Sequence, residues 1–402
     1  MSTTTKQKPL VPELRFSGFD GQWKKNTFKD LVKINQGLQI AISERMTSPD
    51  EKSHFYITNE FLRPGNKKKY YIKNPPPSVI CNEDDVLMTR TGNTGKVVTG
   101  VSGAFHNNFF KIKYEPGELD KRFLVSFLTL PTTQNRILVM AGTSTIPDLN
   151  HTDFYKINIS KPEITEQQKI ADFLGSVDAW LDNLRGQKTA LQSYKQGMMQ
   201  ELFTGQVRFK DDEGKDFSDW QELQLSDAGA IVTGTTPTTS IKKYYGGTFP
   251  WVTPTDISES KDILTSAKLL TRDGLEKGRF IAKDSLLVTC IASIGKNAIL
   301  RVDGSCNQQI NAITPNLNNN VDYLYYLLAA NKNELIKHAG AGAMQMLNKK
   351  DFSSIKFNLA SLPEQQIIAD FLTALDQTIT AKADEITKVE EWKKGLMQKM
   401  FV

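Results

Sequence analysis

The chain has 402 residues, too many for one ordinary domain and enough for two to four units of ~100–150 residues each. Hydrophobic residues make up 39% and charged residues 24%, the balance of a soluble globular protein, and no window approaches ~18 consecutive apolar residues, which excludes a membrane span. A net charge of +5 permits a nucleic-acid partner if the basic residues are concentrated on particular surfaces, whereas 3 cysteines without CxxC spacing and 4 scattered histidines argue against a disulfide framework and a zinc site.

The opening MSTTTKQKPLVPEL lacks the apolar core of a secretory signal and reads as a flexible polar tail over residues 1–11. A reducing cytoplasm fits this start and the free thiols. A first globule follows over residues 12–162. Its runs from Val86 to Thr89, from Lys96 to Val101 and from Phe109 to Tyr114 read as strands, broken by Gly, Asn and Thr, and Phe123 to Leu130 reads as a helix. Residues 163–205 form a long helix. A second globule over 206–361 repeats the strand signals, from Ser285 to Thr289, Ala298 to Val302 and Ile310 to Thr314, with a helix from Tyr323 to Ala330. A second long helix fills 362–402. The fold class is therefore α/β (α+β), two mixed α/β domains separated by two long helices.

The chain is written twice. EQQKIADFLGSVD from Glu166 aligns without a gap to EQQIIADFLTALD from Glu364, an offset of 198 residues that persists to Phe203 and Phe401. Before each helix the likeness is looser. Arg15-Phe16 with Trp23 echoes Arg208-Phe209 with Trp220, Asn35-Gln36-Gly37 echoes Val232-Thr233-Gly234, and Gly95-Lys96 pairs with Gly295-Lys296. Leu149-Asn150 and Asp153-Phe154 pair with Leu347-Asn348 and Asp351-Phe352.

Alternating steps of four and three trace one apolar stripe along each helix. The first carries Ile170, Leu174, Val177, Leu181, Leu184, Leu191, Met198 and Leu202, with Lys188 and Lys195 as its polar members. The second carries Ile368, Leu372, Leu375, Ile379, Ile386, Val389, Leu396 and Met400, with Lys382 and Lys393. A 3.5-residue period held this long is a coiled-coil seam, expected to pair the two helices antiparallel about a pseudo-twofold axis; packing of each helix on its own globule is the alternative. At ~1.5 Å per residue, ~38 helical residues span nearly 60 Å, a rigid spacer between two globules that suits a split target.

Two loop classes carry chemistry. Arg63, Lys67, Lys68, Lys69 and Lys73 interleave with Tyr70 and Tyr71, and Lys242-Lys243-Tyr244-Tyr245-Gly246-Gly247 holds the comparable place in the second globule; lysines beside aromatics suit phosphate contact and base stacking, though a solvated loop explains either run alone. The turns Arg90-Thr91-Gly92-Asn93-Thr94-Gly95-Lys96 and Ala292-Ser293-Ile294-Gly295-Lys296 combine small residues with donors for bases or phosphates. Arg90, Asn93 and Ser293 are candidates from these turns; because Arg prefers guanine edges and Asn or Gln adenine edges in the major groove, Asn107, Asn108, Asn307, Gln308 and Gln309 are candidates too, with the tying down of loops as the alternative for these five amides.

The stretch TGTTPTTSIKKYYGGTFPWVTPTDI from Thr233 strongly resembles the start of a target-recognition domain in type I restriction-modification specificity subunits. PELRFSGFDGQW from Pro12, STIPDLNHTDF from Ser144 and the doubled EQQxIADFL also look like that family, so the resemblance covers essentially the whole chain. It implies two recognition domains reading the halves of a split duplex DNA sequence, with helices that fix the spacing. It also implies two methyltransferase subunits docked along the helices and two restriction-translocation subunits. No catalytic centre or metal is expected on this chain; S-adenosylmethionine, ATP and Mg are expected on those partners. Gly197 and Gly395, at equivalent points of the helices, suit close approach of such a partner or a simple kink. The first globule departs from the pattern. FYITNEFL from Phe55 matches FPWVTPTDI only loosely and KKKYYIK replaces the YYGG element, so the halves should read different sequences.

Two other readings remain. Asn74-Pro75-Pro76-Pro77 resembles the Asn-Pro-Pro-aromatic loop of adenine methyltransferases, but Ser78 stands where the aromatic belongs and no glycine-rich methyl-donor motif precedes it. A coiled-coil adaptor binding only protein explains the helices and leaves the paired basic, glycine-bearing loops without a purpose.

Overall fold

A computed structural model of the chain describes residues 10–142, 145–258, 260–340 and 345–402. Most of the expected N-terminal tail (residues 1–9) and Ser144 lie outside the described residues. Contacts divide the chain into two units: Met1–Arg185 with Asp384–Val402, and Gly186–Ala383. Each unit thus owns one globule and a half of both long helices.

In the first unit the strands β1 (Val32–Gln36), β3 (Val86–Thr89), β4 (Val97–Val98) and β6 (Phe109–Tyr114) form an antiparallel sheet in the order β1-β6-β3-β4. A second sheet sets β2 (Ser53–Ile57) parallel to β5 (Gly103–Phe105), pairing Tyr56 with Ala104 and Ile57 with Phe105. All four residues of β3 are buried, which is why its sequence is a continuous apolar run rather than an alternation. Helix α1 (Lys121–Thr129) starts where the Asp120 side chain accepts the amides of Arg122 and Phe123, and α2 (His151–Tyr155) where Asn150 accepts the amide of Asp153. Helix α3 (Ile164–Phe203) then begins in this unit and ends in the second.

The second unit repeats the plan. Strands β7 (Gly229–Thr233), β9 (Ser285–Thr289), β10 (Asn297–Leu300) and β12 (Ile310–Pro315) run in the order β7-β12-β9-β10, while β8 (Tyr245–Val252) lies parallel to β11 (Ser305–Cys306). Helices α4 (Val321–Ala330) and α5 (Lys349–Ser354) are capped by Asn320 and Asn348, and α6 (Leu362–Met400) follows.

Each globule is riveted to the first turn of the long helix that follows it. Arg15 grips Glu166 with two hydrogen bonds of 2.7 Å, and Trp23 Nε1 reaches the same carboxylate at 3.4 Å. Arg208 and Trp220 grip Glu364 at 2.8–3.0 Å in the same way. Gln167 and Gln365 are fully buried beside them. Their side chains accept the amides of Asp120 and Asn320, the N-cap residues of α1 and α4, at 3.0 and 2.9 Å. The Glu-Gln pair that makes the repeat so visible is therefore a structural clamp.

The apolar stripe of the long helices is divided between two jobs. Ile170, Leu174, Leu396, Met397 and Met400 enter the core of the first globule, and Met198, Leu202, Ile368, Leu372 and Leu375 that of the second. Between these ends, Val177, Leu181 and Leu184 of α3 pack with Ile386 and Val389 of α6. Leu191 and Ile379 are half-buried. Two stripe lysines are explained by reciprocal ion pairs, Lys195 with Asp376 at 2.6 Å in the second unit and Lys393 with Asp178 in the first. Because α3 contributes its N-terminal half and α6 its C-terminal half to the first unit, and the converse holds in the second, the pair is antiparallel in each. Both helices run unbroken through Gly197 and Gly395, so neither glycine is a break.

Among the described residues no helix is long and apolar enough to cross a membrane, and no three His, Cys, Asp or Glu side chains gather as metal ligands.

Candidate nucleic-acid interface

In the first unit, loops from four places in the chain are tied into one rim. Gly37 lets the chain pass against the connection from β5 to β6, since a Cβ there would overlap the carbonyl oxygens of Phe105 and His106. The Asn107 amide then donates to Leu38 O at 3.0 Å, and His106 N to Ile57 O at 2.9 Å. Asn59 Nδ2 donates to Thr91 O at 2.8 Å, Arg90 N to Asn108 O at 2.7 Å, and Lys96 Nζ to Leu62 O at 3.2 Å. Segments 36–39, 58–62, 90–96 and 106–108 therefore meet, bringing Arg90, Asn93, Lys96 and Asn107 together.

The second unit builds the same rim with other side chains. Gly234 makes the equivalent close approach to Cys306 and Asn307. Thr235 N donates to Cys306 O, Asn307 N to Val252 O and Cys290 N to Gln309 O, all at 2.8–2.9 Å. Thr236 Oγ1 donates to Gln308 Oε1 at 2.6 Å. Tyr56 and Trp251 are both buried and occupy corresponding places on β2 and β8. The Tyr56 hydroxyl donates to Leu38 O at 2.7 Å and Trp251 Nε1 to Thr235 O at 3.0 Å, one bond made by two different aromatics. FYITNEFL and FPWVTPTDI thus fold alike despite their weak likeness.

The tip turns are also held alike. Thr89 Oγ1 donates to Asn93 O and accepts the Lys96 amide at 2.9 Å; Thr289 Oγ1 does the same with Ser293 O and the Lys296 amide at 3.1 Å. Gly95 (φ 91°) and Gly295 (φ 82°) close the turns in the left-handed region, where Asn93 (φ 60°) and Ala292 (φ 61°) also lie. A non-glycine residue so placed costs of order 1 kcal/mol or more, and such strain concentrates at functional loops.

Individual candidates differ in how free they are. Arg90 is not a free probe: its guanidinium pairs with Asp148 at 2.6 Å and covers the Phe110 ring, and Thr91 donates to the same carboxylate. Asn107 Nδ2 donates to Gln39 Oε1 at 3.0 Å, and Asn307 and Gln309 bind each other, so these amides tie loops as well. Asn93, Lys96, Lys296 and Gln308 are exposed, and Ser293 is half-buried. Lys67, Lys68 and Lys69 stand exposed on the loop that leads from the rim segment 58–62 to Tyr71. Lys242 is exposed, whereas Lys243 pairs with Asp273 at 3.4 Å and lies over Tyr244.

The rims do not exhaust their own hydrogen bonds. Among the described residues, Asn59 Oδ1, Arg90 Nε, Asn107 Oδ1 and Thr235 Oγ1 are buried without a partner. Each such group costs about 1–3 kcal/mol, a cost that a rearranging ligand can remove. Burial first, then the positive charge of Arg45, lowers the pKa of His106, which favours its neutral form at the rim. Burial pushes the Cys290 thiol up to about 11 and the Cys306 thiol to about 12, so neither is a thiolate nucleophile near neutral pH.

Residues 21–193 and 217–391 each match the family described as the type I restriction modification DNA specificity domain. The chain belongs to this type I specificity family. The specificity subunit of the MjaVIII type I restriction enzyme of Methanocaldococcus jannaschii is 25% identical over 93% of this chain and 91% of its own length. That of EcoBI from Escherichia coli is 21% identical over 96% of this chain and 86% of its own length. The fold agrees with the crystal structure of the S subunit from M. genitalium, at a TM-score of 0.56 and 17% identity over 98% of this chain and 99% of that one. A chain from a structural study of type I complex assembly and conformational transition gives 0.61 at 16% identity, over 94% of this chain and 97% of that one.

Within this specificity-domain frame, the residues that sequence reasoning overlooked are Asn59, Gln39 and Thr235. Once Tyr56 is set against Trp251, Thr58-Asn59 falls opposite Thr253-Pro254; that alignment is the signal that would have found Asn59. Asn74-Pro75-Pro76-Pro77 enters a single 3₁₀ turn, Pro77–Val79, whose Val79 is buried, so the run acts as a connector.

Proposed function

We propose that each unit of this specificity subunit reads one half of a bipartite duplex DNA sequence through its rim. The observation that carries this is the duplicated rim scaffold, bearing different side chains at corresponding places. A protein that needed one surface twice would repeat the contacts; one that reads two sequences repeats only the frame. The antiparallel helices set the gap between the half-sites, since ~40 helical residues at ~1.5 Å each give a stiff element of ~60 Å.

Chemistry belongs to the partners in this reading. Two methyltransferase subunits dock along the helices, and two restriction-translocation subunits complete the assembly. S-adenosylmethionine, ATP and Mg bind those subunits, and this chain has no catalytic role. Two features support docking on the helices. Trp180, Tyr194 and Trp392 are 45–51% exposed there, the residue types that anchor protein interfaces. A Cβ at Gly197 or Gly395 would meet nothing within 4 Å, so the chain's own packing does not require glycine at either place.

The test is methylation-sensitive sequencing of a host expressing the chain with its cognate methyltransferase subunit, against a host with that subunit alone. A split motif of fixed gap should appear only in the first. Exchanging residues 12–162 or 206–361 for those of a relative should change one half each. A confirmed complex that adds no methylation would leave a protein-binding adaptor instead.

A further inference from the structure

Beside the rim of the second unit, an open cavity of ≈ 540 Å³ is lined by residues that include Thr239, Lys242, Tyr245, Gly246 and Lys268. Its two ammonium groups come from separate segments, the 3₁₀ turn Lys242–Tyr244 and the lead into the short strand Leu269–Leu270. Both side chains are exposed, and among the described residues neither pairs with a carboxylate. No acidic residue lines the cavity. Lys243, between these groups in sequence, is turned away to Asp273. One wall is glycine: Gly246 (φ 85°) takes a left-handed conformation and presents no side chain.

The cavity also shares a wall with the rim. Tyr245 OH donates to Pro237 O at 2.7 Å and its ring packs edge-on against Trp251, whose indole holds Thr235 O. Lys268 Nζ lies 5.6 Å above the same Trp251 ring. An anion held here would sit next to segment 233–237, where the rim meets its target.

We propose that this cavity is a phosphate station: Lys242 and Lys268 hold a phosphodiester of the DNA backbone and thereby set the register of the second unit on its half-site. Lysine serves phosphate as a compact point charge, and the small residues around it admit a backbone group that a crowded pocket would refuse. The inference rests on the second unit being a DNA reader and adds a contact that carries no sequence information.

The experiment is duplex binding by the complex of full chain and methyltransferase subunit, titrated over a range of salt concentrations. Lys242→Gln/Lys268→Gln should weaken matched and mismatched duplexes by the same factor. It should also make the slope of log K against log salt shallower by about one, the release expected for one phosphate. The methylated motif should not change. Lys356→Gln, at an exposed lysine of the same unit paired with Glu222, should leave affinity and slope as they were. A double variant with the wild-type slope overturns the station while leaving the DNA-reading function in place, and so does an equal loss in Lys356→Gln, which would mean diffuse charge. A wild-type complex indifferent to duplex DNA would sink the underlying reading together with it.

Discussion

The two rims are the same frame carrying different chemistry. Both need a glycine at the close approach (Gly37, Gly234), a threonine hydroxyl inside the tip turn (Thr89, Thr289) and a buried aromatic donor beneath the first loop (Tyr56, Trp251). Around these, Asn59 corresponds to Pro254 and Asn107 to Gln308 in the register that the parallel strands set within each unit, while Arg90 corresponds to Cys290 beside the matched threonines. The cation–aromatic contact is rebuilt too: Arg45 lies over Tyr56 and Tyr70 in one unit, Lys268 over Trp251 in the other. Positions that bear on backbone geometry repeat, and apart from the exposed pair Lys96 and Lys296 the candidate side chains around them differ. Under the proposed reading, recognition diverges between the halves without disturbing the frame.

The most destructive way to test that frame is at its rivets. Glu166→Ala would leave Arg15, 13% exposed, and the buried Trp23 indole without their carboxylate, a loss of roughly 3–5 kcal/mol for a broken buried pair. Glu364→Ala should cost somewhat less, because Arg208 is 28% exposed and keeps its bonds to Phe217 O and Ser218 O. Urea unfolding followed by hydrogen exchange should show each variant loosening its own unit first. Equal loss in both units from either variant would mean that they do not behave as separate cooperative blocks.

Acid should separate the units as well. In the second, Arg301 binds Asp262, Asp284 and Asp322 at 2.6–3.0 Å, and Lys261 adds a second cation to Asp322 at 2.6 Å. The comparable first-unit pairs, Lys111–Asp85 and Lys121–Asp84, are looser at 3.6 Å. Burial by itself raises the Asp322 pKa, but the hydrogen bonds from Lys261 and Arg301 outweigh it and hold the carboxyl below its ordinary value. A folded pKa depressed in this way means that the stabilisation is complete above the unfolded value of ~3.9 and is lost as pH falls through the folded one. Asp322→Asn should therefore cost about 2 kcal/mol at pH 7, a deficit that shrinks below pH ~4. Urea midpoints measured across pH check it, and a deficit independent of pH would refute the linkage.

Changes on the rim surface should be smaller and more selective. Asn107→Ala is expected to relax one half of the methylated motif by about tenfold, ~1.4 kcal/mol, and Gln308→Ala the other half by a similar factor, each with only a small fall in melting temperature from the lost hydrogen bond to Gln39 or Thr236. The same half responding to both variants would break the assignment of one rim to one half-site.

Much of this frame was legible because it rests on local or periodic signals. The repeat offset, the long helices, the strands at Val86–Thr89 and Ser285–Thr289 and the two tip turns follow from short-range pattern. What was hidden depends on partners far apart in sequence. Glu166 looks like a helix-start carboxylate until Arg15, 151 residues away, is seen to hold it. Arg90 looks like a guanine reader until Asp148 is placed beside it. The apolar stripe promised one continuous seam, but its ends are taken by the globule cores, because a residue facing a globule and one facing a helix carry the same period. Tyr56 and Trp251 were obscured for the opposite reason: unlike side chains make the same bond.

The smallest expected effect bears on why both helices carry a glycine at the same place. Inside a helix, glycine is worse than alanine by roughly 0.5–1 kcal/mol, and at Gly197 and Gly395 the helix continues with open space where a Cβ would be. Nothing in the chain's own packing offsets that cost. Gly197→Ala and Gly395→Ala should therefore each raise the melting temperature of the isolated chain slightly. If a methyltransferase subunit passes close to these positions, the same methyl group should weaken assembly, read as a higher dissociation constant by analytical ultracentrifugation or calorimetry. A more stable chain that assembles less well would place the partner at the glycines. A more stable chain that assembles as before would move the docking surface elsewhere on the helices, towards the exposed Trp180 and Trp392, whose rings already pack edge-on at 6.4 Å.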